Sequence, residues 1–167
     1  GANATALGRD TNAGGSGAIA IGTSALSSGT NNVAIGYDAT ASNSFSTALG
    51  GGAIASNERA IALGANSTAS AIGSIAIGQY VTANAANTLV VGGDDANALI
   101  SSAYFGRGIT NAAPPAFTIA ATGGSGTNIA GANFAVAAGK ATGNAVGGDL
   151  ILQTSDATAS GTTLQSL

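Results

Sequence analysis

The sequence has no cysteine, histidine, methionine or tryptophan, and only seven aromatic residues in 167. Each absence removes a class of function. Without cysteine there is neither a disulfide scaffold nor a thiolate metal site. Without histidine there is no Ser-His-Asp triad and no imidazole base. Charge is scarce as well: four basic residues stand against seven acidic ones, for a net charge of −3. A nucleic-acid binder carries a basic stripe, and none is present, so no nucleic-acid partner is expected. No run is apolar enough to span a bilayer. The charge-free stretch from Ile109 to Gly139 is broken by Pro114-Pro115 and by many Gly, Asn and Thr residues, so no membrane insertion is expected. The first residue is Gly1 rather than Met, which reads as a processed chain or an excised fragment.

Catalytic constellations are missing too. The only glutamate, Glu58, has no carboxylate partner at a recognisable spacing, which leaves a glycosidase pair without support. The Gly-rich run 123–131 lacks the Lys-Ser/Thr of a P-loop and the glycine spacing of a dinucleotide fingerprint. Asp94-Asp95 lacks the oxygen-rich spacing of a calcium loop. No metal, no cofactor and no enzymatic activity are expected. Asn3-Ala4-Thr5 and Asn66-Ser67-Thr68 match glycosylation acceptors, a pattern that arises easily in an Asn- and Thr-rich chain.

What is present is a strict repeat. Ala4-Thr5-Ala6-Leu7-Gly8 is followed by Ile19-Ala20-Ile21-Gly22, Val33-Ala34-Ile35-Gly36, Thr47-Ala48-Leu49-Gly50, Ile61-Ala62-Leu63-Gly64, Ile75-Ala76-Ile77-Gly78 and Leu89-Val90-Val91-Gly92. The glycines Gly8, Gly22, Gly36, Gly50, Gly64, Gly78 and Gly92 recur every fourteen residues without a slip, the mark of a repeat architecture. Large, small, large, Gly is a period-two pattern, so each unit reads as a short strand. Its large residues point one way and its Ala the other. The glycine then sits where a reversing chain needs φ > 0.

A second alternating stretch follows, as at Ala25 and Ser27, Ala39 and Ala41, Ala53 and Ala55, and Val81 and Ala83. Gly15, Gly29, Asn43 and Asn57 then mark a second turn. Two strands and two turns in fourteen residues make one coil of a parallel β-solenoid. The coil is narrow, and its wall, rich in Ala, Ser, Thr and Gly, is expected to be nearly featureless. So few large side chains bury little apolar surface against an ordering cost of about 1–2 kcal/mol per residue. Packing against copies of the same chain is therefore expected over a monomer held by its backbone ladder.

At Gly17–Ser27, Asn32–Ala41 and Ser74–Ala83 the units resemble the head repeats of trimeric autotransporter adhesins, the YadA-like head. The resemblance covers 2–97. It implies a left-handed parallel β-roll, with three rolls packed about a threefold axis as a homotrimer. The same repeats look to have been borrowed by bacteriophage tail fibres. The second half, from Ala103-Tyr104-Phe105-Gly106-Arg107-Gly108 to Gly147-Gly148-Asp149-Leu150-Ile151-Leu152-Gln153-Thr154, is similar to tail-fibre shaft segments that end in an intramolecular chaperone of the endosialidase type.

Three regions are expected: β-roll repeats at 1–97, ending near Asp94-Asp95-Ala96-Asn97; a connector at 98–116; and a fibrous β-repeat at 117–167. Phe117–Ala121, Asn133–Ala138 and Asp149–Thr154 are its expected strands, lining a β-prism in a trimer. Tyr37, Phe45 and Tyr80 exceed the repeat consensus. They read either as packing against a neighbouring coil or standing singly on the surface, or as receptor contacts. Phe105, beside Tyr104 and Arg107, is expected to be a structural wedge between the two β-regions. Glu58-Arg59 reads as a solvated ion pair.

The function expected first is a structural, receptor-binding segment of a bacteriophage tail fibre, extracellular on the virion, with a host-surface glycan or protein as partner. The alternative is the head of a trimeric adhesin on a bacterial surface that binds host matrix or cells. An ice-binding face would need continuous rows of Thr, and Thr11, Thr40, Thr68 and Thr82 do not form one. An enzyme acting on surface glycans is disfavoured by the missing chemistry.

Overall fold

A strand this short holds only if its N–H and C=O groups find partners in neighbouring strands. The fourteen-residue period supplies them by placing each coil directly against the next. The computed structural model describes residues 1–93, 100, 103, 117–123, 125, 127–141, 144 and 146–152. The chain divides into two units, Gly1–Phe105 and Gly106–Leu167.

In the first unit each repeat glycine follows a three-residue strand. These are β1 (Thr5–Leu7), β3 (Ile19–Ile21), β5 (Val33–Ile35), β7 (Thr47–Leu49), β9 (Ile61–Leu63), β11 (Ile75–Ile77) and β13 (Leu89–Val91). Between them lie two-residue strands: β2 (Asn12–Ala13), β4 (Leu26–Ser27), β6 (Thr40–Ala41), β8 (Ile54–Ala55), β10 (Thr68–Ala69) and β12 (Thr82–Ala83). The odd strands form one seven-stranded sheet and the even strands one six-stranded sheet. Every pairing is parallel. The register joins residues fourteen apart, as in Ala20↔Ala34 and Ala41↔Ala55. The described first unit is thus all-β, a parallel β-solenoid of fourteen-residue coils. The seven odd strands, six steps apart, span about 29 Å at a strand spacing of about 4.8 Å.

Alternation then decides what lies inside. Ala20, Ala34, Ala48, Ala62 and Ala76, the middle residues of β3 to β11, are fully buried. Facing them from the even strands and their approaches are Ala39, Ala41, Ala53, Ala55, Ala69 and Val81, also buried. The interior is therefore one methyl deep almost throughout. Burying a CH₂ contributes about 0.8 kcal/mol, so such a core stabilises the protomer less than one of Leu and Phe would. The backbone ladder and the turns carry much of the order.

Polar interior positions are closed by local hydrogen bonds. Asn32 Nδ2 donates to Ala41 O at 2.6 Å, and Ser27 Oγ donates to Asn32 Oδ1 at 2.5 Å. Ser46, Ser67 and Ser74 each donate a hydroxyl to the carbonyl three residues back, at 2.6–2.8 Å. Among the described residues no buried side-chain nitrogen or oxygen lacks a partner.

The second unit departs from expectation. The described residues of Phe117–Ala121, Asn133–Ala138 and Asp149–Thr154 carry no strand. A turn lies at 127–128 with Asn128 at φ 60°, and the backbone bonds Ala132 N–H to Thr122 O (2.9 Å) and Gly148 N–H to Gly139 O (3.0 Å) are made. Alternating residues mark which side of a strand is apolar. They do not provide the neighbouring strand whose backbone completes it, and the described residues of this unit form no ladder. The expected roll end at 94–97, most of the connector 98–116, the junction residues Tyr104, Phe105 and Arg107, and the tail from 153 onward lie outside the described residues.

Candidate functional site

The outer faces of the solenoid are what a partner meets. On the seven-stranded sheet, each strand turns its first and third residues outward. These make two columns, one running Thr5, Ile19, Val33, Thr47, Ile61, Ile75, Leu89, the other Leu7, Ile21, Ile35, Leu49, Leu63, Ile77, Val91. None of the fourteen is buried, and only Thr5 and Thr47 are polar. The expected featureless wall is corrected here. The coil is thin, and its interior takes Ala almost throughout, with Val81 the one branched apolar side chain buried among the described residues, so the repeat's largest apolar residues are on the outside.

The six-stranded sheet is different. Its outward column reads Asn12, Leu26, Thr40, Ile54, Thr68, Thr82. Three of the threonines considered for an ice-binding face share this column, but Leu26 and Ile54 interrupt it. Thr11 belongs to the turn before β2, where its Oγ1 donates to Gly22 O at 2.6 Å.

The margins between the sheets are two ridges of turns, one per half-coil. The repeat glycines open the first ridge, with φ between 125° and 141° at Gly8, Gly22, Gly36, Gly50, Gly64, Gly78 and Gly92. At Gly36, a Cβ would stand 2.5 Å from Gly50 O of the next coil. Side-chain absence is needed there both for the dihedral and for the approach of the next coil. Two residues on, the first ridge has a left-handed position: Asp10, Ser24, Asp38, Gly52, Asn66 and Tyr80, at φ 52–67°. The second ridge has its own: Asn3, Gly17, Asn31, Phe45, Arg59, Gly73 and Asn87, at φ 53–65°.

Asn, Asp and Gly tolerate this conformation; for a bulky residue it is a genuine outlier. Phe45, Arg59 and Tyr80 are such outliers. The sequence reading marked the two aromatic rings as large but missed their strain. The signal was available, because writing the chain in rows of fourteen puts Phe45 and Arg59 under Asn and Gly.

The three candidate contact aromatics do not converge. Phe45 lies on the second ridge, while Tyr37 and Tyr80 lie on the first, three coils apart. They are 54%, 65% and 41% exposed respectively. Charges are equally dispersed. Arg59 pairs with Glu58 at 2.9 Å on the second ridge, and Arg9, a pair the sequence reading passed over, approaches Asp10 at 3.7 Å on the first. Both pairs are exposed, where such a contact is worth about 0–1 kcal/mol. Among the described residues no cluster of acidic side chains could hold a metal ion, and no helix is long and apolar enough to cross a membrane.

Residues 1–25, 27–53 and 55–80 match the family described as YadA head domain repeat. The match covers just under half of the chain and falls wholly within the solenoid. No curated protein matches the chain. The family match bears on the head-repeat resemblance and lends nothing to the tail-fibre resemblance of 103–154. Period, strand pairing and family match agree over the same coils, and over residues 1–80 the solenoid is similar to YadA head repeats.

Proposed function

We propose that this chain is a segment of the head of a trimeric adhesin, displayed on a bacterial surface, where it binds host matrix or host cells. Its work is adhesion rather than catalysis, and its first partner is itself. The observation that carries this reading is the outer face of the seven-stranded sheet, where twelve of fourteen outward residues are Ile, Leu or Val. Contiguous apolar faces of this kind mark interaction sites, and the match to YadA head repeats supports reading the mode as three rolls side by side. The tail-fibre reading draws on residues 103–154, where the described residues form no strand and the family match does not reach.

Two measurements test the proposal. Light scattering on the purified chain gives about three times the 15.5 kDa protomer mass. Beads coated with the chain attach to immobilised extracellular-matrix proteins or to host epithelial cells. Attachment to bacterial envelopes alone would transfer the chain to the tail-fibre class.

A further inference from the structure

Three residues pay a backbone cost that the protomer does not repay. Phe45, Arg59 and Tyr80 hold φ of 61°, 58° and 58° at turn positions otherwise given to Asn, Asp, Gly and one Ser. Strain of this kind costs about 1–3 kcal/mol per residue; the stacked coils impose the left-handed geometry, but they do not require a bulky residue in place of Asn or Gly. Phe45 and Tyr80 remain about half exposed, as do their ridge neighbours Tyr37 and Ile72. A packing role within the protomer therefore does not account for them.

Resting on the trimeric reading, we propose that these residues form the seam between adjacent protomers: the second ridge of one copy, carrying Phe45, Arg59 and Ile72, docks against the first ridge of the next, carrying Tyr37 and Tyr80. The occupant of both ridges is thus a second copy of this chain.

The geometry points there in two steps. Three sheets packed face to face about an axis, with the usual separation of about 10 Å between sheets, stand about 5 Å from that axis and enclose a triangle about 17 Å on a side. A three-residue strand is only about 10 Å long. The turns must fill the vertices, and threefold symmetry makes each vertex a first ridge meeting a second ridge.

Height along the axis then sets the pairing. In a cyclic assembly all copies share one level, and a coil climbs about 4.8 Å in fourteen residues. Tyr37 and Phe45 are eight residues apart, so across the seam they differ in level by about 3 Å. Tyr80 and Ile72 are also eight apart and match equally. Arg59 falls between Gly51-Gly52 and Ala65-Asn66 of the facing ridge, where small residues leave room for its side chain. Large residues thus meet a large apolar partner or a gap, as a packed seam requires.

The chain has no cysteine, so pairs can be introduced singly. Treated with a short bismaleimide, Tyr37→Cys/Phe45→Cys and Tyr80→Cys/Ile72→Cys should each give covalent trimers on a denaturing gel. Tyr37→Cys/Ile72→Cys, about 12 Å out of level, should not. A second variant guards against misfolding. Phe45→Asn places in the turn a residue that the column already accepts, so a purely local role predicts a higher melting temperature; the seam predicts a lower one. A trimer in light scattering that shows no matched cross-links, or that melts higher as Phe45→Asn, overturns the seam and leaves the trimeric head standing. A monomer overturns both.

Discussion

At the scale of single residues, the repeat is governed by two demands that no side chain meets equally well. The first is backbone approach. Gly64 has φ 132°, and a Cβ there would run into the carbonyl of Gly78 in the next coil. Gly64→Val is therefore expected to cost about 2 kcal/mol or more, since left-handed strain and overpacking add. A denaturant midpoint equal to the parent's would refute this. The second demand is satisfaction of the few polar atoms inside. Asn32 ties Ser27 to Ala41 O across the coil, although the same column holds Ala18 and Ala60 in other coils. Asn32→Ala should lose about 1–3 kcal/mol, seen as an earlier thermal melt, because Ser27 keeps its hydroxyl and loses its acceptor. If Ser27→Ala/Asn32→Ala recovers most of the loss, the network rather than the volume is the cause. The turn glycines were legible as glycines needed for reversal. Their close approach to the following coil was not, because contact between residues fourteen apart exists only once the coils stack.

At the scale of the element, each three-residue strand has a methyl side and a branched side. The interior accepts only the methyl side. Ala62→Leu should destabilise the solenoid by about 1–3 kcal/mol through overpacking, whereas the same Leu is native one position later at Leu63. The branched side answers to a different partner. Ile35→Lys or Ile61→Lys should leave the strand content seen by circular dichroism unchanged, since both side chains lie outside the coil. The same variants should reduce the mass in light scattering toward that of one protomer. Thr68→Lys, on the outer column of the six-stranded sheet, should change neither the strand content nor the mass. A protomer that unfolds with Ile35→Lys would place that side chain in the folding core instead. The segments of the second unit show the limit of pattern. Phe117, Phe134 and Leu150 alternate with small residues as strand residues do, yet no described residue near them pairs into a ladder. Two-stranded pairing is marginal on its own, and alternation carries no information about who the neighbour is.

At the scale of the molecule, the assembly expected here is held by apolar surface and almost no charge. With four basic and seven acidic residues in the whole chain, and both described ion pairs exposed, ionic strength has little to screen. The trimer mass should be the same in low salt and at about 1 M sodium chloride, where the Debye length is about 3 Å. Sulfate should raise the melting temperature, as it strengthens apolar burial. Dissociation in high salt would show that charge, not the Ile/Leu/Val face, joins the copies.

The sequence by itself determined the coil. A fourteen-residue period without a slip dictates which residues stack, so the parallel register, the alternation within each strand and the position of every turn glycine follow from Gly8 to Gly92 before any coordinates. What it left open is the sign of the alternation and the strain in the corners. A period-two pattern has two faces, and the ordinary rule would put Ile and Leu inside. Only the closed coil shows that its two sheets lie so near each other that the interior is methyl-sized at almost every position, Val81 being the largest apolar side chain it buries, which turns Ile21, Ile35 and Leu49 outward. Likewise, nothing in Phe45, Arg59 or Tyr80 as letters announces a left-handed backbone. The turn geometry is imposed by the coils above and below, and a residue at that position adopts it whatever its own preference.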